Sequence, residues 1–147
     1  MTASPIRIAN CSGFYGDRPS AAQEMVMGGP IDVLTGDWLA ELTMLILSRI
    51  RNKNPNGGYA RTFVTQMEQV MGSCLDKGIK VVSNAGGLNP RSCAETISEI
   101  AEKLGLKPTI AYVDGDDLMG RIHEFSLNQS LSPFSSDTSL GDLDSYL

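Results

Sequence analysis

Ile79-Lys80-Val81-Val82-Ser83-Asn84-Ala85-Gly86-Gly87-Leu88-Asn89-Pro90-Arg91-Ser92 reads as a short strand that opens, through small residues, onto a helix. Asn89 is a strong N-cap type. Pro90 suits the first helical position, because it lacks the N–H that would be orphaned there anyway. Gly86 and Gly87 let backbone N–H groups approach a ligand beside a helix N-terminus that carries partial positive charge. Two readings stand for this loop. One is a site for an anion or polar ligand, where Gly87→Val costs binding and little stability. The other is a tight strand-to-helix turn.

Working outward, the same design recurs. Ile6 to Asn10 runs into the polar, Gly-containing loop Cys11 to Arg18 and then Pro19-Ser20, Ile31 to Leu34 runs into Thr35-Gly36-Asp37, and Thr109 to Val113 runs into Asp114-Gly115-Asp116-Asp117. Helices fall between these strands. Ala22, Met25 and Val26 pattern one from Pro19 to Met27, and Gly28-Gly29-Pro30 stops it. Asp37 is read as the cap of a helix to about Asn52, apolar almost all round through Trp38, Leu39, Leu42, Met44, Leu45, Ile46, Leu47 and Ile50. Phe63, Met67, Val70, Met71, Cys74 and Leu75 mark a helix from about Tyr59 to Lys77, closed by Gly78. Ala94, Ile97, Ala101 and Leu104 mark another from Pro90 to Leu104. The pattern predicts an α/β fold with a mainly parallel sheet and helices on both faces, a Rossmann-like three-layer arrangement. Half a TIM barrel is the alternative, since its βα units also gather polar strand ends on one face. In either, four strand ends share the edge where such folds bind ligands.

A chain of 147 residues with 41% hydrophobic residues suits one domain with a real core. A short helix through Leu118, Ile122 and Phe125 is expected to close this domain, 1–125. The Ser-rich stretch 126–147 reads as loop or disorder. A net charge of −5 and scattered basic residues argue against nucleic acid as a partner. The longest apolar run, Met44 to Leu47, is too short for a membrane span, and no secretory leader is evident. Three cysteines without a C-x-x-C spacing suggest neither a disulfide framework nor a zinc site, so a reducing, cytoplasmic setting is expected.

Several side chains carry chemistry in one reading and structure in another. Asp114, Asp116 and Asp117 present carboxylates to a ligand or Mg²⁺, or cap the next helix; Asp37 has the same two readings. Cys11 lies just past a strand end and Cys93 in the first turn of a helix, where the dipole lowers a thiol pKa, so each is a candidate nucleophile or else a core residue. Cys74 belongs to an apolar stripe. His123, the single histidine, is the weak candidate for any triad or imidazole metal site and is expected at the surface. Arg18 and Arg91 flank prolines at helix starts, where they pair with a phosphate or carboxylate, stay solvated, or bridge to Asp17 and Glu95. Neither GxGxxG nor GxxxxGK[ST] occurs, and no cofactor is read.

The stretches Ile8 to Arg18, Asp32 to Glu41, Val81 to Asn89 and Asp114 to Leu118 resemble, in order and spacing, the N-terminal domain of the acyclic terpene utilisation family. The resemblance covers Ile6 to Leu118. It implies a cytosolic protein associated with breakdown of acyclic terpenes such as citronellol and geraniol and with acyl-CoA carboxylase pathways, without implying a reaction. Because the family's members are several times longer, it also implies a truncated member. The expected ligand is small and anionic or of acyl-CoA type, held along the strand ends by Asn10, Ser12, Gly13, Arg18, Thr35, Gly36, Asp37, Asn84, Gly86, Gly87, Asn89, Arg91, Asp114, Asp116 and Asp117. Cys11, Cys93 and Asp37 are the catalytic candidates. The alternatives are an assembly module, joining a second copy or a partner subunit through the Trp38 to Ile50 helix, and a fragment without independent function.

Overall fold

Three strands form a parallel sheet: β1 (Ile8–Asn10), β2 (Val33–Gly36) and β3 (Lys80–Ser83), in the spatial order β1-β2-β3. The structure, a computed structural model, describes residues 4–121 and residue 124. Ala9 is registered with Leu34 and Leu34 with Val81. Because side chains alternate across a strand, these three share a face, and Leu34 is fully buried. That face is covered by α1 (Ala21–Gly28), α3 (Arg61–Lys77) and α4 (Pro90–Lys103), which join Leu34 in one core. α3 packs against both α1 and α4. Between β2 and α3, α2 (Glu41–Lys53) buries only Thr43 and Leu47, and residues Met119–Arg121 form a short 3₁₀ turn.

The α/β class and the parallel sheet are as expected. The helical layer lies on one face instead of two. The opposite face carries Ile8, Val33 and Val82, and Ile8 is 65% and Val82 62% exposed. The cause is topological. Right-handed crossovers that step always in one direction leave their helices on one side, and α4 stays there by packing on α3. A doubly wound sheet needs a reversal of strand order, which does not occur among the described residues. The one-sided layer is also the arrangement of the half-barrel alternative.

The expected fourth strand, Thr109 to Val113, does not form. Ile110 packs on the core, and with Tyr112 it borders a groove along α4, while Val113 stands exposed. β-branched residues favour a strand only where a pleated surface and a ladder partner receive them. The helix expected from Asp37 begins instead at Glu41, and that expected from Pro19 begins at Ala21. Trp38 therefore lies outside α2, in the core, and contributes nothing to an apolar surface on that helix. Gly78 ends α3 in the left-handed conformation and Asn89 caps α4 as predicted, its side-chain Oδ1 accepting from Ser92 N at 3.2 Å. The chain divides into two compact units, Met1–Val113 and Asp114–Leu147. His123 and the stretch 126–147 lie outside the described residues. Among the described residues no helix is long and apolar enough to cross a membrane.

Where β1 and β2 begin, Arg7 grips Asp32 with a bidentate fork: Nη2 donates to Oδ1 at 2.8 Å and Nε to Oδ2 at 3.0 Å, joined by Arg7 N at 2.8 Å. These bonds hold the Asp32 carboxyl down at about 2, below the ordinary value of about 3.9. A carboxyl lowered on folding contributes stability that is present above its unfolded pKa and lost as pH falls through the folded one. The melting temperature of the unmodified chain is thus expected to exceed that of Asp32→Asn above about pH 4, with the gap closing towards about pH 2. A gap independent of pH would mean that this fork is not the source.

Candidate functional site

Pairing of β1 with β2 continues past the strands, because Cys11 N donates to Thr35 O at 2.8 Å and Asp37 N to Ser12 O at 2.9 Å. The two strand ends therefore lie side by side. From Ser12 the chain turns on itself: Gly13 N and Arg18 N donate to the two Asp17 carboxylate oxygens at 2.9 and 2.7 Å, and Ser12 Oγ donates to Phe14 O at 3.1 Å. The two N–H groups hold Asp17 below the usual carboxylate range. Between this loop and α1 lies a cavity of about 450 Å³, lined mainly by Asn10, Cys11, Ser12, Gly13, Asp17 and Arg18. The Arg18 guanidinium stands largely exposed and bonds Glu24 through Nη2 at 2.7 Å. Glu24 is braced in turn by Ser20 Oγ at 2.7 Å.

Behind the cavity stands Gln66, which the sequence reading passes over because it lies within the apolar stripe of α3. It is 0% exposed. Its Nε2 donates to Arg18 O at 3.3 Å, and its Oε1 accepts the Cys11 thiol at 3.8 Å. A buried polar residue on an apolar stripe is the signal that points to it.

At the ends of β2 and β3, Asn84 joins two neighbours. Its Oδ1 accepts from Trp38 N at 3.0 Å and its Nδ2 donates to Asp37 Oδ1 at 2.6 Å, where Leu39 N also donates at 3.1 Å. Asp37 is thereby kept below its ordinary pKa and takes a role other than capping a helix. Trp38 is buried edge-on to Phe63, with centroids 5.2 Å apart. Its indole N–H has no hydrogen-bond partner among the described residues. Gly36 lies against its ring, where a Cβ would overlap it.

The Gly86-Gly87 loop turns its backbone towards the protein. Gly87 N, Leu88 N and Asn89 N donate to Asn84 O, Gly58 O and Gly86 O at 3.1, 2.9 and 2.9 Å. Asn89 Nδ2 adds bonds to Pro55 O and Gly57 O, both at 3.0 Å. The close approach that Gly87 permits is thus to Leu47, Gly58 and Tyr59, and the one that Gly86 permits is to Pro90 at the start of α4.

The structure brings Asn10, Cys11, Ser12, Gly13 and Arg18 together at one cavity, with Asp37 and Asn84 next along the edge. Thr35 adds its carbonyl and Gly36 supports Trp38. Gly86, Gly87 and Asn89 pack separately, and Arg91 pairs with Glu95 on the exposed side of α4 at 3.2 Å. Asp114, Asp116 and Asp117 belong to the second unit. Among the described residues no group of three His, Cys, Asp or Glu side chains is placed to hold a metal ion. The thiols depart from expectation: burial pushes both Cys11 and Cys93 up to about 11. At Cys93 the cause is burial in the core, which disfavours the thiolate.

The model of the acyclic terpene utilisation family protein AtuA matches residues 6–145. No curated protein and no solved structure matches the chain.

Proposed function

As the chain belongs to the acyclic terpene utilisation family, we propose that it serves that utilisation by binding a small anionic or acyl-CoA-type ligand at the C-terminal edge of its sheet. Family membership supplies the association with acyclic terpenes. The ligand reading is carried by the cavity at the end of β1, whose volume of about 450 Å³ falls within the range of about 300–1,000 Å³ usual for small-molecule sites. Arg18 is its cation. The exposed pair with Glu24 is worth at most about 1 kcal/mol, so a phosphate or carboxylate that arrives with charge-assisted bonds to the guanidinium displaces Glu24 at little cost.

The test is calorimetric titration of the full chain with the coenzyme A ester of a branched acyclic acid, and with the free acid. The ester is expected to bind, and Arg18→Ala to weaken it about tenfold or more. No heat with either compound sinks the reading. Exposed Leu42 and Leu45 on α2 favour a second reading, an assembly module that joins a second copy, which sedimentation of Leu42→Asp/Leu45→Asp beside the unmodified chain would test: equal sedimentation as monomers removes it.

A further inference from the structure

We infer that Gln66 is a positioning residue for the β1–α1 cavity: its side-chain amide holds the residues entering and leaving the loop, Cys11 and Arg18, at a fixed separation. The consequence for binding rests on the ligand reading above; the role in the loop rests on geometry alone.

Burying an amide costs free energy unless it is hydrogen-bonded, and Leu or Met would fill the α3 stripe without that demand. Both ends of Gln66 are used, and both on cavity residues. Arg18 O is only an acceptor, so Nε2 faces it, and the other end then presents Oε1 to Cys11. The thiol, held neutral by burial, keeps the proton that it donates there. The Asp17 bonds close the loop upon itself, whereas Gln66 joins it to a helix 48 and 55 residues away in sequence. With both ends of the loop tied to one buried side chain, the loop wall of the cavity is held in place against α3.

The deciding comparison is Gln66→Met in the full chain, since Met fills a similar volume without the two hydrogen bonds. Alkylation by iodoacetamide is followed at each cysteine by peptide mass spectrometry, with buried Cys74 and Cys93 as internal references. Labelling of Cys11 is expected to rise about tenfold while the other two stay as they were, the mark of a local opening. Unchanged Cys11 labelling, or an equal rise at all three, overturns the proposal, because the glutamine then only packs or only stabilises the whole. If Gln66→Met does not fold, proton exchange in the unmodified chain decides. The Gln66 side-chain amide is expected to exchange far more slowly than those of exposed Gln23 and Gln69, and equal rates overturn the assignment. In the variant, affinity for the branched acyl ester falls with the rise in labelling. If the unmodified chain binds no ester, the ligand reading fails and labelling still judges Gln66.

Discussion

Gly87→Val is expected to lower unfolding free energy by about 2–5 kcal/mol, the sum of left-handed strain and overpacking. That is a large share of the roughly 5–15 kcal/mol that holds an average domain together. Gly87 has φ +53°, and a Cβ there would stand 2.5 Å from Leu47 Cδ1 and 2.8 Å from Gly58 O. The leucine methyl can yield; the carbonyl cannot, because it already accepts Leu88 N at 2.9 Å. Gly78 supplies the control, with φ +67° and open space around its Cβ position, so Gly78→Ala is expected to cost only the backbone preference, about 1 kcal/mol. Urea unfolding followed by far-UV circular dichroism compares the two. Equal midpoints would show that the contacts around Gly87 are not made in solution, and would return the loop to the ligand reading. The expectation of little stability loss at Gly87 does not survive this geometry.

Much of the strand–loop–helix unit around Gly87 was readable from local chemistry. An Asn-Pro pair at a helix start and a Gly after a helical stripe act within a few residues, so the cap at Asn89 and the stop at Gly78 came out where residue type placed them. Asp37 shows the limit. Its carboxylate has two suitors, the backbone N–H groups just ahead and an amide 47 residues away at Asn84, and sequence spacing shows only the first. The segment Thr109 to Val113 fails for a related reason, since composition states a preference for strand but says nothing of a partner edge. Helical periodicity likewise reveals that a face is buried and leaves open which side of the sheet buries it, so the bare face with Ile8 and Val82 was not legible. At the site, the strand-end loop was visible through its glycines and polar residues. Gln66 was hidden because one polar residue does not disturb an apolar stripe.

Gly36 makes a different case from Gly87, because space rather than backbone conformation selects it. A Cβ there overlaps the six-membered part of the Trp38 ring and comes within 3.2 Å of Ser12 Cβ. The ring has nowhere to go, being 1% exposed and set edge-on against Phe63. Gly36→Ala alone is therefore expected to cost about 1–3 kcal/mol by overpacking, and Trp38→Ala alone about 3–5 kcal/mol through the cavity it leaves. Together they should cost less than their sum by about 1–3 kcal/mol, since removing the ring removes the obstacle to the new methyl. The double-mutant cycle, measured by urea unfolding, isolates that coupling. Additive costs would mean that Trp38 does not fill the space over Gly36. The end of β2 would then be open to a ligand, and the binding edge would extend from the β1 cavity across Gly36 to Asp37. A coupling of the expected size means that the Trp38 ring fills the space over Gly36 and closes the end of β2.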